Sequence, residues 1–195
     1  MANGLTPLTE LEAINEILAT SAESPVSTLE ENQVIDASLA MNTLRATSVE
    51  VQTVGWNYNR EEGVSLTPDQ NGEVILPPNV LRVDTSGESA STNAVQRGAR
   101  LYDKGNRTYQ FAGNVTVDWV LGLSFEELPS TARIYITIRA ARKYQDRYFG
   151  DQATHSYTAQ DEQNARASMI DEEMDSNDAN MLSDSQFMIK LRGRA

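Results

Sequence analysis

Apolar residues recur along the start of the chain with helical spacing. Leu8, Leu11, Ile14, Ile17 and Leu18 share one face of a helix over residues 7–20, because positions three, four and seven apart align in an α-helix. Thr9 and Glu12 have the spacing of a capping box, and Thr6-Pro7 offers an alternative start one turn earlier. Pro25 bars simple continuation. A second helix is predicted over 32–54. There Val34, Ala37, Met41, Leu44, Ser48 and Val51 occupy about a third of the circumference. Gly55 is its natural stop, and Trp56 is placed to pack where helix meets sheet.

From 57 to 123 the period changes. Turn signals recur at Pro68-Asp69-Gln70-Asn71-Gly72, Pro77-Pro78, Ser86-Gly87 and Lys104-Gly105-Asn106. The clearest strand has Val115, Val117, Trp119, Leu121 and Leu123 alternating with Thr116, Asp118, Val120 and Gly122. Leu101-Tyr102 and Tyr109-Gln110-Phe111 flank residues 103–108 and predict a hairpin. The Ser/Thr/Gly-rich stretch 85–93 is expected to be a mobile loop.

Helical spacing returns at Pro129, a favoured first-turn residue. Ile134, Ile138, Ala141, Tyr144 and Tyr148 form one stripe, with Arg139, Arg142, Lys143, Asp146 and Arg147 mostly opposite and Gly150 as the stop. A weakly amphipathic fourth helix is predicted over 158–174, with Ala159, Ala167, Ile170 and Met174 facing inward. Helices at both ends with strands between them argue against alternating β-α-β units. The expected class is α+β. Residues 1–56 and 126–180 are expected to form a small, roughly four-helix bundle, 57–125 a β-rich insertion domain, and 181–195 a C-terminal arm.

Composition narrows the function. The chain of 195 residues has no cysteine, which excludes disulfides and thiolate metal sites and fits a reducing compartment. The N-terminus lacks a basic leader with a continuous apolar run, so no signal peptide is expected. No apolar run approaches the ~20 residues a membrane helix needs. A net charge of −12 disfavours binding to phosphates.

No catalytic residue, cofactor or metal is predicted. His155, the single histidine, lies in a loop-like segment without a recognisable nucleophile or orienting partner. Asp171, Glu172, Glu173, Asp175 and Asp178 form an acidic run, but Ala179 and Asn180 break the calcium-loop pattern twice. Phosphate-binding glycine loops and hydrolase motifs are absent. The most distinctive feature is a basic cluster of Arg133, Arg139, Arg142, Lys143 and Arg147, five of the sixteen Lys and Arg residues. Three readings compete, in this order: pairing with acids of the fourth helix, a bridge to a neighbouring acidic subunit, and contact with nucleic acid. Tyr135, Tyr144, Tyr148 and Phe149 beside it suit either the core or a protein interface. Met181, Leu182, Phe187, Met188 and Ile189 are many large apolar residues for a tail, and are expected to be buried on another chain.

Several segments together resemble tail tubular protein A of podovirus-type phages. They are Ala13-Ile14-Asn15-Glu16-Ile17-Leu18, Val51-Gln52-Thr53-Val54-Gly55-Trp56-Asn57-Tyr58-Asn59, Leu101-Tyr102-Asp103 with Thr108-Tyr109-Gln110-Phe111, the run from Leu128-Pro129 through Ile138-Arg139-Ala140-Ala141-Arg142-Lys143-Tyr144-Gln145 to Arg147, and Glu162, Ala165-Arg166, Glu173 and Asn180-Met181-Leu182. The resemblance implies a structural virion protein, not an enzyme, assembled in the host cytoplasm. It implies a dodecameric ring between the portal protein and the nozzle, tail tubular protein B, that helps hold the tail fibre. Genomic DNA would pass through the lumen without specific binding. The competing reading is a monomeric acidic cytosolic protein-binding module with no virion role.

Overall fold

The computed structural model describes residues 6–29, 35–148 and 159–184, excluding the side chains of 148 and 177–184. Two compact units result: Met1–Ser48 with Phe125–Ala195, and Val49–Ser124. The fold is α+β, with helices in the N- and C-terminal parts and a β-rich middle.

In the first unit, α1 spans Glu10–Ala19 and starts at the Thr9 capping box, not at Pro7. The Thr9 hydroxyl accepts from the Glu12 amide at 3.3 Å, and the Glu12 carboxylate accepts from the Thr9 amide at 2.9 Å. These two bonds satisfy amides that a helix start leaves open. The Thr9 amide, and after it the Thr9 hydroxyl, which donates to the Glu12 carboxylate at 2.8 Å, hold that carboxyl below its ordinary range. Ala13, Ile14, Ile17 and Leu18 are buried. Helix α2 spans Ile35–Gln52. Ala37, Leu44, Ser48 and Val51 are buried along the predicted stripe, Met41 is half-buried, and Val34 lies outside the described residues.

Helix α3 spans Ser130–Tyr148 and packs on both α1 and α4, the latter spanning Ala159–Asp184. Two neighbours widen its buried arc to Ala132, Tyr135, Ile136, Thr137, Ala140, Ala141, Tyr144 and Gln145. This corrects the predicted stripe: Ile134 is 45% exposed and Ile138 half-buried. Alanines at three of those positions allow close helix approach. The inward face of α4 departs from the predicted one at all but Ile170, which is half-buried. Met169 is buried with Glu162, Ala165 and Glu173 partly covered, whereas Ala159, Ala167 and Met174 are exposed. Polar anchors to α3 set that face, and a hydrophobic stripe cannot register them. α4 also runs past 174, since neither proline nor glycine interrupts 159–184.

The second unit is built on an antiparallel sheet in the order β1-β5-β2, with β1 over Arg60–Leu66, β2 over Val80–Thr85 and β5 over Val115–Leu121. The predicted alternation places Val115 and Val117 in the core with Val74, Leu76, Val80, Ala94 and Leu101. β1 bulges between Glu61 and Val64, where Gly63 takes φ +67. A separate hairpin pairs β3 (Ala94–Arg97) with β4 (Arg100–Asp103). Its two-residue turn has Gly98 at φ +63, as a type II′ turn requires. This corrects the predicted hairpin: β4 takes its partner from the preceding segment, and only the Asp103–Thr108 bridge joins it to the following one. The stretch 85–93 is tied down. Ser86 donates its amide to the Thr116 carbonyl at 3.0 Å, and the Ser89 hydroxyl accepts from the Thr116 amide at 3.0 Å.

Gly55 closes α2 at φ +87, and a Cβ there would lie 2.8 Å from both Val120 Cγ2 and Arg82 Nη2. Left-handed strain and overpacking therefore act together in Gly55→Ala. We expect a loss of about 3 kcal/mol, read by chemical denaturation; a variant within about 0.5 kcal/mol of wild type would contradict this.

Candidate assembly surfaces

The basic cluster of α3 divides by partner. Arg133 is turned to the chain's own backbone: Nε donates to the Leu128 carbonyl at 2.8 Å, Nη1 to the Leu8 carbonyl at 2.9 Å, and Nη2 to the Glu126 carbonyl. One planar guanidinium thereby gathers the segment before α1, the approach to α3 and the helix itself. Arg139 and Arg142 both meet Glu162 of α4, Arg139 Nη1 at 3.4 Å. Arg139 also donates to the Tyr135 hydroxyl at 2.8 Å. The Thr131 hydroxyl donates to Glu172, so the start of α3 meets a later turn of α4 and the two helices run antiparallel. The first of the three readings thus holds for Arg139 and Arg142. Lys143 is half-buried and Arg147 exposed. His155, Phe149, Phe187, Met188, Ile189 and the side chains of Tyr148, Met181 and Leu182 lie outside the described residues. The acidic run lies on α4 and not in a loop, and among the described residues no group of three or more carboxylates or histidines could hold a metal ion. No described helix is long and apolar enough to cross a membrane.

In the second unit two buried amides hold the end of α2 to the sheet. Gln52 is 2% exposed; its Nε2 donates to the Leu123 carbonyl at 3.1 Å and its Oε1 accepts from the Leu123 amide at 2.7 Å. Asn59 Nδ2 donates to the carbonyls of Gln52 at 3.0 Å and Leu121 at 2.7 Å, while its Oδ1 accepts from the Trp56 amide at 2.9 Å. The Trp56 indole donates to the Val51 carbonyl at 2.7 Å. Sequence reasoning anticipated Trp56 and missed the two amides, which carry no periodic signal. Asp118 on β5 accepts from the Ser86 hydroxyl at 2.6 Å and from the Gly63 amide, freed by the bulge, at 2.9 Å. These bonds, Ser86 foremost, lower the Asp118 pKa against a smaller opposing effect of burial.

A lowered carboxylate stabilises the fold above its unfolded pKa of about 4 and loses that effect as pH falls through the folded value. We expect Asp118→Asn to unfold at a lower temperature than wild type at pH 7, with the gap closing below about pH 4. A gap independent of pH between 3 and 7 would remove the assignment.

The outward face of the β3–β4 hairpin is also cationic. Val95 pairs with Tyr102 and Arg97 with Arg100, so these four share one face, while Ala94, Leu101 and Asp103 are buried on the other. The Arg97 guanidinium stacks 3.6 Å over the Tyr102 ring and that of Arg100 4.4 Å over Tyr109. The two rings meet edge to face at 4.9 Å. Arg100 forks onto both Glu73 oxygens at 2.8 and 2.9 Å, which raises its pKa further. The alternation of charge and ring was present in the sequence, but the missed β3 strand hid the shared face.

A profile of the tail tubular protein family matches residues 11–179. The chain belongs to the tail tubular protein family. It is similar to tail tubular protein A of Klebsiella phage KP34, with 29% identity over 154 residues that span 78% of this chain and 81% of that one. Among solved structures it aligns with a chain from the neck of an empty GTA particle computed with C6 symmetry. The identity is 20% and the TM-score 0.29, over 75% of this chain and 86% of the other. This tail tubular protein is a structural component of the virion tail. The family match takes in the α3–α4 ion pairs, the Gln52 and Asn59 amides and the stacked hairpin, and leaves out only Leu8 among the Arg133 partners.

Proposed function

We propose that this tail tubular protein forms the adaptor ring joining the portal to the nozzle of a short tail, helps anchor the tail fibres and lines the channel through which the genome leaves. The carrying observation is the family match over residues 11–179, which engages both structural units. A dodecamer of identical subunits is the expected state, with the portal protein, tail tubular protein B and the tail fibre as neighbours. The net charge of −12 supports the channel role: an acidic wall repels phosphates, so DNA slides without the adhesion a basic wall would cause. Bundle segments 1–56 and 126–180, the insertion 57–125 and the arm 181–195 remain the proposed domains. The arm, with Met181, Leu182, Phe187, Met188 and Ile189, is proposed to contact another chain, and Lys143, Arg147, Tyr148 and Phe149 to border a subunit interface.

Mixing the protein with the portal of its phage and imaging the product tests the proposal. A ring seated on the portal is expected, and failure to dock at any ionic strength would overturn it. Deleting 181–195 is expected to abolish docking while the rest of the chain still folds, as a cooperative thermal melt would show. Docking of the truncated chain at wild-type efficiency would refute the role of the arm.

A further inference from the structure

The β3–β4 hairpin concentrates positive charge on an acidic chain. Between 95 and 108 the sequence carries Arg97, Arg100, Lys104 and Arg107, with Asp103 as the sole acid. Asp103 is 6% exposed and accepts from the amide and side chain of Asn106 at 3.0 and 2.8 Å, so it belongs to the inner side. Arg97, Lys104 and Arg107 are exposed. Arg97 and Arg100 stand directly opposite each other in the strand register, an arrangement that repels. Stacking on Tyr102 and Tyr109 restrains both guanidinium groups. A guanidinium lying on a ring keeps its in-plane N–H groups available to a carboxylate. Arg100 already shows that use with Glu73, whereas Arg97 shows the stack without a carboxylate partner among the described residues.

The complementary field lies on α4. From 167 to 189 the chain carries Asp171, Glu172, Glu173, Asp175, Asp178 and Asp184 and no Lys or Arg. Among the described side chains Asp171, Glu172 and Asp175 are exposed. The basic face of α3 does not compete for this role with Arg133, Arg139 or Arg142, which are engaged within the chain.

We propose that the β3–β4 face of one copy receives the acidic face of α4 from a second copy. The inference rests on the ring-forming reading above and names the surfaces that meet. Two different surfaces on each copy make the contact heterologous, the type that closes rings. Nucleic acid is the weaker partner. Phosphate binding needs several unneutralised cations, and here Glu73 neutralises Arg100 on a chain with net charge −12.

Two full-length variants test this in trans. One carries Arg97→Glu and Lys104→Glu, the other Asp171→Arg and Asp175→Arg. Each alone brings like charges together at every contact, and we expect self-association, with the portal present, to weaken about tenfold or more. An equimolar mixture restores opposite charges at every alternating contact and is expected to assemble like wild type. That rescue also shows that both variants fold, which circular dichroism and thermal melts check separately. Wild-type assembly by either variant alone would overturn the inference and leave the ring standing. A mixture no better than its parts would do the same. A wild-type chain that forms no ring even with portal would sink both. If wild type retards a DNA duplex at physiological salt and the hairpin variant does not, the face binds nucleic acid and the proposal is wrong.

Discussion

Asn59→Asp is expected to destabilise the β-rich unit by about 4 kcal/mol at pH 7, with a fall in melting temperature of about 10 °C. The substitution barely changes shape. It replaces the Nδ2 group that donates to the Gln52 and Leu121 carbonyls with an oxygen that repels both. The site is 3% exposed, so water cannot compensate. The new carboxyl would escape by holding its proton, which raises its folded pKa above the unfolded value of about 4. Extra stability from the bound proton is present below the unfolded value and is lost as pH rises through the folded one. Loss relative to wild type should therefore be smallest near pH 4 and largest at neutrality. Melting curves from pH 4 to 8 check this, and a deficit that is flat or grows toward acid would show that Asn59 does not hold these carbonyls.

Arg133→Met should have the largest effect in the helical unit. Methionine keeps most of the apolar stem and removes all three donors. The carbonyls of Leu8, Glu126 and Leu128 then lose their partner. Leu128 is buried, Leu8 half-buried and Glu126 exposed, so water replaces some of what is lost. We expect about 2–3 kcal/mol, below the sum of three charged hydrogen bonds. Arg133→Lys should recover only a minor part, because a single ammonium cannot span three carbonyls in a fork. Hydrogen exchange supplies the local readout: the amides of Ala13 and Arg133, bonded to the Thr9 and Pro129 carbonyls, should exchange faster in both variants. Unchanged exchange together with lost assembly would move Arg133 from an internal clasp to an intersubunit contact.

The α3 cluster illustrates how far sequence carries a surface argument. Five basic residues on a helix of an acidic chain mark it as an electrostatic contact, and pairing with acids of the fourth helix is the first expectation. Arg139 and Arg142 on Glu162 realise it. The use of Arg133 was not legible, because its acceptors are backbone carbonyls and no side-chain pattern encodes them. The same blindness applies to Gln52 and Asn59. An amide in a polar-looking segment has no period, yet these two fasten a helix end to a sheet.

By itself the sequence determined the α+β order, the Thr9–Glu12 capping-box spacing as one of two possible starts for α1, the buried faces of α1 and α2, the Gly55 stop and the alternating β5 strand. Those features depend on interactions within a few residues or on a periodic burial against one neighbour. The family likewise followed from ordered local segments. Tertiary structure alone decided which face α3 and α4 bury, because α3 has two neighbours and α4 is oriented by ion pairs with α3. It also decided that β4 turns back to β3 across Gly98 and not forward to Tyr109, since strand pairing is a choice between partners that local propensity leaves equal. That choice put Arg97, Arg100 and Tyr102 on one outward face, and moved the cationic surface of greatest interest from α3 to the hairpin.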